Sequence, residues 1–93
     1  MIIGKVVGNV WATRKEEKLS GLKLMIVVPK DPVNPGKTES LVAVDQVGAG
    51  IGETVLVALG SSARRAVRNA EAPVDAAIVG IVDEMEVRQD GED

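Results

Sequence analysis

Ile2-Ile3-Gly4-Lys5-Val6-Val7-Gly8-Asn9-Val10-Trp11 is the stretch on which the fold turns. Its β-branched residues favour pleated backbone over helix. Side chains alternate between the two faces of a strand. Ile2, Val6 and Val10 therefore share one face, with Gly4 and Gly8 between them, and Ile3, Val7 and Trp11 share the other. Apolar residues on both faces predict a strand buried at least partly on both sides. Two glycines four apart predict strong bending or a close neighbour, as at a barrel corner.

The pattern repeats outward from this strand. After a polar stretch at 13–21, residues 22–28 read as a second strand with Leu22, Leu24, Ile26 and Val28 on one face. Pro29, Pro32, Pro35 and Gly36 exclude helix and central strand, so a long hairpin connection follows. Leu41 opens a third strand, which Asp45 closes. A glycine-rich turn leads into a fourth, Thr54 to Leu59. Residues 61–69 read as a short helix capped by Ser61 or Ser62, and Pro73 stops anything helical. Residues 75–82 form a fifth strand with scope to run on to Val87. Five strands with one short helix between the fourth and fifth predict an all-β chain, nearest in shape to a five-stranded, partly open OB-like barrel. One domain spans 1–87, and 88–93 is an acidic, flexible tail.

Composition narrows the function. Val and Ile supply 22 of the 42 apolar residues in a chain of 93, and Phe, Tyr, Cys and His are absent. Without Cys or His there is no disulfide scaffold, Cys/His zinc site, thiol nucleophile or Ser-His-Asp triad. A domain this small buries only about 63–65% of the surface its unfolded chain exposes, so oligomerisation is the expected source of added stability. The net charge of −3 and the single Trp argue against nucleic-acid binding, which draws on basic surface and aromatic platforms. Acidity concentrates at 83–93, where six acids face one base. No apolar run has the length of a membrane span, and the start lacks the pattern of a signal peptide, so a soluble intracellular protein without membrane contact is expected.

Three segments invite a chemical reading. Gly48-Ala49-Gly50-Ile51-Gly52-Glu53 suggests a phosphate loop, but its glycines alternate, no Lys-Ser/Thr end follows, and it enters a strand rather than a helix. A tight turn requiring φ > 0 or close packing explains it better. Its lack of bulk also lets symmetry copies approach one another around an axis. Gly60-Ser61-Ser62-Ala63-Arg64 places serines near an arginine with no base to activate them. Arg64 or Arg65 is expected to pair with Asp75 or a neighbouring subunit's carboxylate. Asp45, Glu53, Asp75 and Asp83 stand at or beside strand ends, where turn capping or ion pairing is expected rather than metal binding. Trp11 reads as core or subunit interface rather than a stacking platform.

Taken in order, the stretch from Met1 to Thr13, Leu19-Ser20-Gly21-Leu22-Lys23-Leu24, Ala43-Val44-Asp45, Val47 to Glu53, Val55-Leu56-Val57, Gly60-Ser61-Ser62-Ala63-Arg64 and Pro73 to Asp83 resemble the EutN/CcmL family of bacterial microcompartment vertex proteins. The resemblance implies an OB-like barrel that assembles as a homopentamer and caps the vertices of a polyhedral shell, among hexameric shell proteins, in the bacterial cytoplasm. It implies no enzyme, no cofactor and no metal. On this reading Gly48, Ala49, Gly50, Ile51 and Gly52 line a pore at the fivefold axis. Arg64, Asp75 and Glu53 serve helix or subunit ion pairs. Loop 13–19 or the proline loop meets the hexamers. The alternative is an OB-type binding module for nucleic acid or another ligand. An enzyme working through carboxylates would need two convergent acids, which no spacing here supports.

Overall fold

In the computed structural model, residues 1–13, 15–30, 39–69 and 71–88 are described. The heart of the proline loop and the end of the acidic tail lie outside the described residues. Five strands, β1 (Ile2–Val10), β2 (Leu24–Pro29), β3 (Leu41–Asp45), β4 (Thr54–Leu59) and β5 (Ala76–Ile81), form a closed barrel in the order β1-β2-β3-β5-β4. Among the described residues one α-helix, α1 (Ser61–Ala66), lies between β4 and β5, and a 3-10 turn at Glu17–Leu19 interrupts the polar loop before β2. The barrel is closed rather than partly open because β3 and β5 join in a short parallel seam, Val44 opposite Ala77 and Asp45 opposite Ile78. All other neighbours are antiparallel.

Val6, Met25, Val27, Ala43, Val55, Val57, Ala76 and Ile78 fill the barrel, and Ala49 joins them from the turn after β3. Small and β-branched side chains suit so narrow an interior. A second cluster lies outside the barrel wall, where Val44, Ala63, Ala72, Val74 and Ala77 pack the helix against β3 and β5. In β2 the buried residues are Met25 and Val27, whereas Leu24, Ile26 and Val28 point outward and are half-buried. The expectation that β1 is covered on both faces holds only for part of its length. A bulge between Val6 and Gly8 shifts the register against β2, and Val7 and Trp11 emerge exposed. Bulges bend a strand and re-aim the residues after them.

Three ends differ from the sequence reading. Gly60, not a serine, caps the helix, and no side chain bonds its first turn. Gly60 has φ +61°, a conformation open to glycine, and its carbonyl accepts from Ala63 and Arg64. The helix stops at Ala66 rather than Asn69. Arg68 takes φ +58°, and the Arg68 and Asn69 amides bond back to the carbonyls of Arg65 and Arg64. This is a Schellman closure with arginine where glycine is usual. β5 ends at Ile81. Val82 makes one more bond to Thr54, and residues 83–88 stand exposed outside any strand.

Of the described glycines, Gly4 is packed most tightly. A Cβ there would overlap Val27 Cγ1 and lie 3.1 Å from the Val28 carbonyl oxygen. Val27 is fully buried and stiff at χ1, so it has no room to yield. At Gly8 and Gly80 a Cβ would sit 3.4 Å from the ends of Ile26 and Leu56, which can give way. Gly4→Ala is expected to cost about 1–3 kcal/mol as an overpacking change. That corresponds to a melting temperature lower by about 4–8 °C per kcal/mol. Thermal unfolding followed by circular dichroism, with Gly8→Ala and Gly80→Ala as milder comparators, checks this.

Candidate functional site

The glycine-rich turn is anchored by a single carboxylate. Asp45 ends β3, and its side chain is only 1% exposed. Its Oδ1 accepts from the amides of Val47 (3.0 Å) and Gly48 (3.1 Å), and its Oδ2 accepts from Ala49 (2.9 Å). Lys23, which precedes β2, brings its Nζ to 3.3 Å from Oδ2 and donates to the Ala49 carbonyl at 3.1 Å. The Asp45 amide donates to the Lys23 carbonyl. Burial pushes the Asp45 carboxyl up, but the amides of Val47 and Ala49 and the ammonium of Lys23 outweigh it and hold it below the usual carboxylate value.

The second half of the turn closes on itself. Glu53 accepts the Gly50 amide at 2.6 Å through its carboxylate and returns its own amide to the Gly50 carbonyl. Gly52 and Glu53 then exchange backbone bonds with Val6. The amides a phosphate would need are thus spent on Asp45, Glu53 and Val6. Gly48 and Gly52 have φ +77° and +95°, with nothing within 4 Å of where a Cβ would be. Glycine is required there by conformation rather than by crowding. Ala49 is buried in the barrel mouth, whereas Ile51, 61% exposed, projects from the turn.

Arg64 and Asp75 do not pair within the chain. The Arg64 guanidinium donates to the Val74 carbonyl at 3.2 Å. Just before β5, Val74 is buried in the outer cluster and Asp75 is exposed, while the Asp75 carbonyl accepts the Gly60 amide. Among the described residues the ion pairs are Lys23–Asp45 and an exposed Lys18–Glu71 contact at 3.8 Å. Glu53 meets no cation within that set. Lys23 is the residue that sequence reasoning missed. It lies 22 positions from Asp45, and only the β2–β3 pairing brings the two together.

The outer surface carries a second feature. Trp11, the only aromatic residue, is 84% exposed, so it is not core. Val7, Val42, Val47, Leu59 and Ile81 are also exposed. Trp11 borders an open groove of about 530 Å³ with Val10, Leu22, Lys23 and Leu24. A smaller groove of about 180 Å³ lies between β3 and β5, lined by Leu19, Val42, Pro73 and Val74 among others. So many exposed apolar side chains on a small barrel mark contact surface.

Known proteins match this chain along nearly its whole length. The family described as "Ethanolamine utilisation protein EutN/carboxysome" matches residues 1–83. The chain is 48% identical over 88 residues to the bacterial microcompartment shell vertex protein GrpN of Rhodospirillum rubrum, covering 92% of this chain and 97% of that protein. It is 44% identical over 87 residues to the carboxysome shell vertex protein CcmL of Synechococcus elongatus, covering 94% and 88%. The solved structure of the GrpN pentameric microcompartment shell protein from Rhodospirillum rubrum superposes with a TM-score of 0.84 at 45% identity, covering 95% of this chain and all of that one.

Asp45→Asn should separate the buried carboxylate from the rest of the fold. It removes the Lys23 charge pair and leaves one oxygen for three amides, an expected loss on the order of 2 kcal/mol. The folded-state pKa of Asp45 is lowered, so its stabilisation is complete above about pH 4, the unfolded range, and disappears as pH falls through the folded value. The stability difference between wild type and Asp45→Asn should therefore be widest near neutrality and shrink below about pH 4. Melting temperature against pH for both proteins measures it.

Proposed function

The chain belongs to the EutN/CcmL family, and from that premise we propose that five copies close into a ring that caps the vertices of a polyhedral bacterial microcompartment. The carrying observation is the match to vertex shell proteins across residues 1–83, joined to a barrel whose outer surface is apolar at Trp11, Val7, Val42 and Ile51. A head-to-tail contact between two different patches of the same chain closes into a ring when the rotation divides the circle. The function is then geometric. Hexagonal tiles make flat facets, and fivefold units supply the closure that facets alone lack. Hexameric shell proteins are the proposed neighbours and the bacterial cytoplasm is the proposed location.

Catalysis is not part of this reading. The chain has neither His nor Cys, and its most buried carboxylate is committed to holding a turn. The alternative of an OB-type binding module is not favoured, since the relatives that match are shell proteins.

We place the glycine turn at the fivefold axis of the ring. Gly50 supports this. Its φ is unremarkable, and a Cβ would rest in ordinary contact, 3.5 Å from Glu53 Oε1. Nothing inside the subunit requires glycine at 50, whereas close approach of symmetry copies would. Glu53 and Asp75 are the carboxylates proposed to meet cations of a neighbouring subunit, with Arg64 and Arg65 as donors.

Native mass spectrometry across a dilution series tests the ring. The expected species has five times the 9.7 kDa subunit mass, and a chain that stays monomeric at every concentration overturns the reading. The axis is tested separately. The chain has no cysteine, so Ile51→Cys labelled with pyrene maleimide reports on that position alone. Excimer emission from the assembled ring is expected. Monomer emission from an intact ring would move the turn away from the axis.

A further inference from the structure

We infer that residues 83–88 of one subunit add as a strand to the open edge of β1 in a neighbouring subunit, seating Met85 and Val87 in the groove beside Trp11. This rests on the ring reading above and names one of its contacts.

The donor segment is patterned for the role. Asp83-Glu84-Met85-Glu86-Val87-Arg88 alternates, so an extended backbone puts Met85 and Val87 on one face and Glu84 and Glu86 on the other. In the subunit this segment is left over. Met85 and Val87 are 47% and 43% exposed. Among the described residues the last backbone bond of the chain is from the Val82 amide to Thr54. A strand-patterned segment with an apolar face and no ladder is a strand awaiting a sheet.

The acceptor is an edge that the barrel does not close. β1 pairs with β4 only from Ile2 to Lys5, and Val6 then bonds the glycine turn through Gly52 and Glu53. Beyond Val6 the β4-facing side of β1 has no partner among the described residues, although β2 pairs its other side as far as Val10. An open edge offers unpaired N–H and C=O groups to another strand. Six extended residues span roughly 20 Å, enough to follow the edge from Val7 to Trp11. At its end lies the groove formed by Trp11, Val10, Leu22 and Leu24. Charge fits as well. The donor carries Asp83, Glu84 and Glu86 against Arg88. The groove is bordered by Lys23, half-exposed although paired with Asp45, and Lys15 is bonded to the carbonyl of Ala12, the residue after Trp11.

The geometry favours a neighbour over the same chain. β5 runs parallel to β1, since both oppose β4. Val82 therefore leaves in the direction of the open edge but on the far side of Thr54, and the turn bonded to Val6 stands between the two.

The absence of cysteine makes the test direct. Trp11→Cys is combined in the full chain with Met85→Cys, and separately with Val87→Cys, then oxidised and run without reductant. A disulfide needs the two Cα atoms within about 7 Å. At least one pair is expected to give a covalent ladder up to five chains. Rings of full native mass with no ladder from either pair, or a link that leaves single-chain mass, overturn the inference while sparing the ring. A wild-type chain that never forms rings overturns both. In the full chain, Met85→Asp with Val87→Asp should leave the thermal unfolding of the dissociated subunit unchanged. It should also raise the concentration at which rings dissociate by about tenfold or more. Rings as tight as wild type would overturn the inference.

Discussion

The barrel closes through a parallel seam of two residue pairs, and Asp45 sits in it. So short a seam cannot position much by itself. The Asp45 carboxylate extends its reach by collecting three amides of the following turn, and Lys23 ties the same carboxylate to the entry of β2. A buried charge is costly unless it is paired and hydrogen-bonded, and here it is both. The turn is consequently a rigid piece of the barrel mouth. Ala49 is plugged into the core on one side of it and Ile51 is held outward on the other. The proposed place of this turn at a fivefold axis calls for such rigidity, because the diameter of an opening there would otherwise be undefined.

The exposed surface has a different logic. A barrel of this size has little interior to spend on stability. Its outer strands are apolar too, with Leu24, Ile26 and Val28 half-buried and Val7 and Val42 exposed. The bulge at Val7 and the early end of the β1–β4 pairing leave an edge and a groove side by side. These features are liabilities in a monomer and contact sites in a ring. In the proposed ring, the groove, the glycine turn and the exposed carboxylates of Glu53 and Asp75 would supply the unlike patches that a head-to-tail assembly requires.

Much of this is legible along the chain. The unbroken apolar run from Val55 to Leu59 locates β4 to the residue, from Thr54 to Leu59, because turn signals bound it on both sides. β1 and β3 are readable within one residue of their ends. The helix end is not, because Arg68 adopts a left-handed conformation without glycine's signature. Nor is the length of β5. Residues 83–87 continue the strand pattern, and only the end of β4 at Thr54 takes away their partner. Within the chain, Arg64 and Asp75 do not pair, and the reason is similar. Proximity in sequence says nothing about which of two adjacent residues turns its side chain inward, and it is Val74 that does.

The sequence by itself determined an all-β domain of five strands, a tight glycine-rich turn at 48–52, and the absence of thiol and imidazole chemistry. Each of these is local, set by propensity, alternation or the inventory of side chains. The tertiary structure decided that Lys23 meets Asp45, that Gly4 is pressed against Val27, that Trp11 faces outward, and that the end of β1 has no partner on its β4-facing side among the described residues. These depend on register between strands distant in the chain. A one-residue bulge at Val7 is enough to change which side chain the barrel keeps and which it presents.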